Sequence, residues 1–125
     1  MKFRTLDYLY IVLTMILTVY GQIIMKWRIQ EFGSLPIGAF EKIRFLLTLL
    51  LDPAILSGFA AAFLAGLAWM AALSKFDLSH AYPILSLNFV LVLLLSAWLL
   101  NEPMTWQKMV GVIMIVIGTI IASQG

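Results

Sequence analysis

The sequence predicts an all-α membrane protein, a bundle of four transmembrane helices with almost no water-soluble mass. Two observations carry this. Of 125 residues, 63% are hydrophobic and only 11% are charged, where a soluble domain carries about 25% charged residues. The charges also divide the chain into apolar runs of about 20 residues, the length that crosses a ~30 Å hydrocarbon core at ~1.5 Å per residue. So short a chain has too little polar surface to cover this much apolar side chain, and its solvent is lipid. Residues 1–125 read as one domain.

The first helix is expected at about 7–26, because no charge lies between Asp7 and Lys26. Lys2 and Arg4 ahead of it imitate the start of a signal peptide. No small-residue cleavage site follows, and Gln22-Ile23-Ile24-Met25-Lys26 closes the run, so a retained helix is expected. The stretch 27–52 is different. Gly33, Pro36 and Gly38 break the chain, and Phe40 to Leu47 then mix apolar and charged residues. Two outcomes fit 36–52: an interfacial helix, or an early, tilted start to helix two. Helix two, 53–74, is free of charge between Asp52 and Lys75, and helix three, 79–100, between Asp77 and Glu102. Helix four runs from about 104 to 122 with Lys108 near its start. Pro53 and Pro103 sit at expected helix starts, where a missing N–H is harmless. The links Lys75-Phe76-Asp77 and Asn101-Glu102-Pro103 are short enough to force antiparallel neighbours.

The charge pattern excludes several classes. The net charge is +2, from eight Lys and Arg against six Asp and Glu. The basic residues stand singly or in pairs at the ends of apolar runs, as lipid headgroups require, not as a nucleic-acid footprint. With no Cys and one His, thiol chemistry is absent and no metal or cofactor is expected. No phosphate loop or carboxylate cluster falls inside the apolar runs, so no enzyme is expected.

Polar residues within the spans are the candidates for function, because they are costly in lipid unless they face a partner or a wet cavity. Thr14, Thr18, Gln22 and Lys26 recur every four residues, and so share one face of helix one. The two threonines read best as bonding their own helix carbonyls. Gln22 and Lys26 together can hold an anionic headgroup. Helix two carries small residues, Gly58, Ala62 and Gly66 with Ala61, Ala65, Ala68 and Ala72, which let helix backbones approach closely. Trp69 reads as packing or an interfacial anchor. In helix three, Pro83 frees a carbonyl one turn earlier and bends the helix. Tyr82 and Ser86 share a face there. Asn88 falls near mid-membrane, as either an interhelical hydrogen bond or a cavity-lining group. His80, at a helix end, makes no metal site alone. In helix four, Gly111, Gly118 and Ala122 read as a helix–helix contact between protomers.

These residues resemble the small four-helix members of the drug/metabolite transporter superfamily, the EamA-like proteins. Gly21-Gln22-Ile23-Ile24-Met25-Lys26 resembles the end of helix one in the small multidrug resistance branch, and the Gly111 to Gly118 spacing resembles its helix-four dimerisation motif. The run from Ala81 to Val90, AYPILSLNFV, followed by Asn101-Glu102-Pro103, is more similar to another branch: the subunits proposed to flip undecaprenyl-phosphate-linked aminoarabinose across the bacterial inner membrane. The resemblance covers helix one and everything after about Gly66. It implies a multi-pass inner-membrane protein with a small multidrug resistance-like fold, working as a homodimer or as a heterodimer with a similar four-helix subunit.

The departures refine the expectation. Drug exporters of this kind use a helix-one Glu for proton and cation exchange, and the matching position here is Thr18. Their helix-three Trp is replaced by Leu85, while their Tyr is kept as Tyr82. The charge retained is Lys26, with Arg28 nearby, which suits an anion. The expected substrate is a polyprenyl-phosphate-linked sugar, an aminosugar by resemblance. Its phosphate meets Lys26 and its sugar enters a polar dimer cavity around Gln22, Tyr82, Ser86 and Asn88. Glu102 pairs with a sugar amine, pairs with Lys108, or caps helix four. Two alternatives stay open: an exporter of lipophilic or polyamine cations, and a non-transporting subunit that positions a glycosyltransferase.

Overall fold

The computed structural model describes residues 5–125. Lys2 and Arg4 lie outside the described residues. Six helices follow one another: α1 (Thr5–Phe32), α2 (Ala39–Leu50), α3 (Pro53–Leu73), α4 (Leu78–Leu85), α5 (Leu87–Leu99) and α6 (Trp106–Ser123). α1, α3, α4 with α5, and α6 are the four segments long and apolar enough to cross a membrane. The protein is a multi-pass membrane protein.

α1 runs past the expected end at 26 to Phe32. Its 28 residues span ~42 Å at 1.5 Å each, longer than the hydrocarbon core, so its last two turns leave the apolar layer. Arg28 and Glu31 therefore ride on the helix where a break was expected. Gly33 stops it: its φ of +95° is the left-handed conformation that favours glycine, and its N–H reaches back to the Ile29 carbonyl at 3.2 Å.

The stretch 36–52 forms a helix of its own, α2, rather than an early start to the second span. Asp52 separates α2 from α3. Its backbone is extended (φ −71°, ψ 130°), and its carboxylate caps α3 by accepting from the Ala54 and Ile55 amides. Pro53 takes the first helical position, where its missing N–H removes nothing.

The third span is two helices rather than one. Pro83 lies inside α4, and regular helix is interrupted at Ser86. There the Phe89 N–H bonds the Ser86 carbonyl at 3.0 Å, a tighter turn than the α-helix. The fourth span starts later than expected, at Trp106. Thr105 caps it by accepting from the Lys108 amide at 3.3 Å.

α1 packs along α3, and α6 rests on α4 and α5. The α1–α3 crossing is close because glycines meet there: a methyl built on Gly21 would stand 3.0 Å from the Gly58 carbonyl oxygen. The buried cluster is Ile11, Met15, Ala72, Phe76 and Ala81, at the end of the bundle where α1 begins. His80 stacks on Phe76 of this cluster, Tyr8 sets its ring at a tilt against Phe76, and the Tyr8 hydroxyl lies 3.1 Å from His80 Nε2. Elsewhere large apolar side chains such as Phe63 and Trp98 stand exposed, as lipid-facing residues do.

Candidate functional site: a groove between α1 and α3 beside Lys26

The polar stripe and the small-residue face meet in one groove. Thr14, Thr18, Gln22 and Met25 of α1 form one wall. Ala62, Ala65 and Gly66 of α3 form the other, with Trp69 and Leu85 at the end away from Lys26. The cavity measures about 260 Å³. Residues without long side chains make the room: α3 presents Gly66, where an added methyl would meet nothing within 4 Å. Gly21 and Gly58 seal the floor.

Thr14 is buried, and its hydroxyl bonds the Tyr10 carbonyl at 2.7 Å, so it offers a ligand little. Gln22 is exposed and lines the groove. Lys26 stands one turn beyond it, exposed, and makes no hydrogen bond or ion pair among the described residues. No carboxylate lines the groove; Thr18 does, where a proton-coupled exporter has its acid.

Arg28 is not free for a substrate. Its Nε donates to Asp52 Oδ1 at 2.9 Å and a terminal nitrogen donates to Glu31. This ties the extended end of α1 to the start of α3. Burial pushes the Asp52 carboxyl up, but the hydrogen bond from Arg28, the Ile55 and Ala54 amides and the guanidinium charge outweigh it, and the group is held below the usual carboxylate range. Asp52 was not marked as functional from sequence. An acid directly before Pro53 at a span's start was the available signal.

Within one chain, Gln22, Tyr82, Ser86 and Asn88 do not line a single space. Tyr82 is exposed and sets its ring edge-on to Trp69, with centroids 5.9 Å apart, so it borders the groove. Ser86 points the other way. It lines a second cavity of about 390 Å³ with Pro83, Phe89, Ile115, Gly118 and Thr119. There the Ser86 hydroxyl lies 3.0 Å from the Thr119 hydroxyl, and both contact the Pro83 carbonyl, Thr119 at 3.1 Å. Thr119, buried in α6, was missed. It is the only polar side chain between Lys108 and Ser123, and that isolation was the clue. Asn88 belongs to neither space. Its Oδ1 is buried and finds no hydrogen-bond donor among the described residues. On α5 it shares a face with Leu91, Leu95 and Leu99, which line an apolar groove against α1.

Glu102 neither caps α6 nor pairs with Lys108. Thr105 is the cap, and the Lys108 ammonium donates to the Pro103 carbonyl at 2.9 Å. Glu102 is half-buried and makes no ion pair among the described residues. Because the spans alternate, it lies at the same end of the bundle as Lys26. Gly111, Gly118 and Ala122 share a side of α6. Methyls built on the two glycines would meet nothing within 4 Å, and Ala122 is exposed.

Comparison with known proteins agrees with this architecture. The chain is 34% identical over 117 residues to the probable 4-amino-4-deoxy-L-arabinose-phosphoundecaprenol flippase subunit ArnF of Erwinia tasmaniensis, covering 86% of this chain and 87% of that one. It is 30% identical over 116 residues to the corresponding probable subunit ArnE of Aeromonas hydrophila, covering 93% and 96%. It is 34% identical over 104 residues to the probable ArnE of Pseudomonas syringae, covering 82% and 87%. No solved structure matches. The model of the EamA-like transporter family matches residues 5–124, all four spans, and the chain belongs to that family.

Proposed function

We propose that this chain is one subunit of a flippase that carries a polyprenyl-phosphate-linked aminosugar across the bacterial inner membrane. The observation that carries the reading is Lys26: an unpaired cation one turn beyond a mostly apolar groove that holds Thr18 and Gln22 and no carboxylate. A proton-coupled cation exporter needs a titrating acid there, and Thr18 cannot titrate. An anionic headgroup gains a charge-assisted hydrogen bond from the ammonium, roughly twice as strong as a neutral one. The flippase subunits to which the chain is similar are named for such a lipid.

In this reading the polyprenyl tail stays in lipid, the phosphate meets Lys26, and the sugar enters the groove beside Gln22 and Thr18. Trp69 and Tyr82 offer ring faces to the sugar amine, and Glu102, at the same end as Lys26, offers a carboxylate. A second four-helix subunit, identical or similar, closes the groove; the open glycine face of α6 suits that contact. Arg28 is left out of the binding set and assigned to positioning.

Mass spectrometry of lipids that copurify with the protein from bacterial membranes tests the proposal. A retained polyprenyl-phosphate sugar, lost on Lys26→Ala, is expected. Retention of bulk phospholipid alone, by wild type and variant alike, would sink it.

A further inference from the structure

We infer that α2 lies flat in the membrane interface and docks on anionic phospholipid headgroups at its two margins. The inference goes beyond the transport reading and does not depend on it. α2 has 12 residues, ~18 Å of helix, too short to cross a bilayer. Leu49 is its only buried residue, so the rest of the chain does not account for its apolar side chains. Phe40, Ile43, Leu46, Leu47 and Leu50 follow the three- and four-residue spacing of one helix face. They stand between 41% and 75% exposed. The opposite face carries Glu41 and Thr48, beside the half-buried Phe45.

A helix apolar along one side and charged along the other partitions into the interface plane. Two further observations fix the occupant as lipid. The corner between α2 and α3 is rigid: extended Asp52 caps α3 and is held from α1 by Arg28. α2 is therefore anchored beside the start of a span, at the depth where headgroups lie. Lys42 and Arg44 flank the apolar face on opposite sides, and neither makes an ion pair among the described residues. Their long stems can run along the apolar face while the charges meet phosphates. Two cations against Glu41 leave α2 net positive, so an anionic surface is favoured over a zwitterionic one.

The chain has no cysteine, so single labels are simple to place. Nitroxides on Leu46→Cys and Thr48→Cys, with the full protein in vesicles of equimolar phosphatidylcholine and phosphatidylglycerol, report the two faces. The label at 46 should be open to oxygen and shielded from a water-soluble nickel chelate, and the label at 48 the reverse. Native mass spectrometry of the same preparations should show phosphatidylglycerol retained over phosphatidylcholine. That preference should fall about fivefold for each of Lys42→Gln and Arg44→Gln. Equal chelate exposure at 46 and 48 would put α2 in water and overturn the inference. Shielding of 46 from both relaxants would mean a second protein covers the face, and would overturn it equally. No preference for phosphatidylglycerol in the wild type would overturn the headgroup assignment. None of these outcomes bears on the flippase reading, since no sugar lipid is present.

Discussion

Alanine substitution at three glycines separates the effect of space from that of chain freedom. At Gly66 an added methyl meets nothing within 4 Å. Alanine there should simply recover the ~0.5–1 kcal/mol that glycine costs inside a helix. At Gly58 the methyl would meet Met25 Cγ at 3.0 Å and Ile24 Cγ2 at 3.1 Å. Met25 has three rotatable bonds and can move aside, so gain and cost nearly cancel. At Gly21 the methyl would stand 3.0 Å from the Gly58 carbonyl oxygen. That atom is backbone, and no side-chain rotation relieves the contact; α1 must lift away from α3. Such overpacking costs about 1–3 kcal/mol. Less the propensity gain, Gly21→Ala should lose about 1 kcal/mol net. Equilibrium unfolding in mixed micelles, followed by circular dichroism, should rank Gly66→Ala above wild type, Gly58→Ala near it and Gly21→Ala below it. If Gly66→Ala fell as far as Gly21→Ala, the close crossing would not be what limits these positions, and the account of the groove floor would be wrong.

Three further outcomes are expected. Lys26→Ala should weaken binding of a polyprenyl phosphate about tenfold: a hydrogen bond to a charged group contributes about 1.5–3 kcal/mol, and the exposed position favours the low end. Lys26→Arg should keep part of the affinity, and a titration of labelled lipid phosphate showing wild-type affinity for Lys26→Ala would remove the anion site. Asp52 is held below its ordinary value in the fold, so the folded state binds its proton less tightly than the unfolded one. The stability it contributes is present at neutral pH and is lost as pH falls past the ordinary carboxylate value of 3.8 towards the lower folded value. Asp52→Asn should flatten that acid limb of the unfolding midpoint against pH; an unchanged limb would mean other carboxylates set it. Replacing both Gly111 and Gly118 with Leu should fill the open face of α6 and raise the monomer fraction on crosslinking in bilayers. An unchanged dimer would move the contact elsewhere.

The spans were legible because lipid forbids charge: the intervals between Asp7, Lys26, Asp52, Lys75, Asp77 and Glu102 mark them within a few residues. The same rule misplaced the end of α1. Lys26 ends the apolar run but not the helix, since backbone hydrogen bonding continues into water, Arg28 meets Glu31 one turn on along it, and only the fold brings Asp52 to Arg28. The late start of α6 has a similar cause: Pro103 fits a helix start, but the side chain that caps belongs to Thr105. The groove was half legible. The four-residue repeat of Thr14, Thr18, Gln22 and Lys26 gives one wall, and the small residues of α3 give the other. What no spacing rule supplies is which span each polar group of the third helix faces. Tyr82 and Ser86, four apart, share a helix face by spacing, yet Tyr82 meets Trp69 of α3 and Ser86 meets Thr119 of α6.

The Pro83 carbonyl has more donors than it needs. The Ser86 amide reaches it at 3.2 Å, the Ser86 and Thr119 hydroxyls reach it as well, and the two hydroxyls also reach each other. Two hydroxyl protons thus serve three contacts, and Ser86 alone, by its amide and its hydroxyl, can satisfy the oxygen from within its own span. If α6 slid away, Thr119 would lose its partners, but the carbonyl would not be stranded in hydrocarbon, where an orphaned acceptor is expensive. The middle of the third span is therefore a joint that can be unclasped at the cost of a hydroxyl contact, while the bend itself stays hydrogen-bonded in either state.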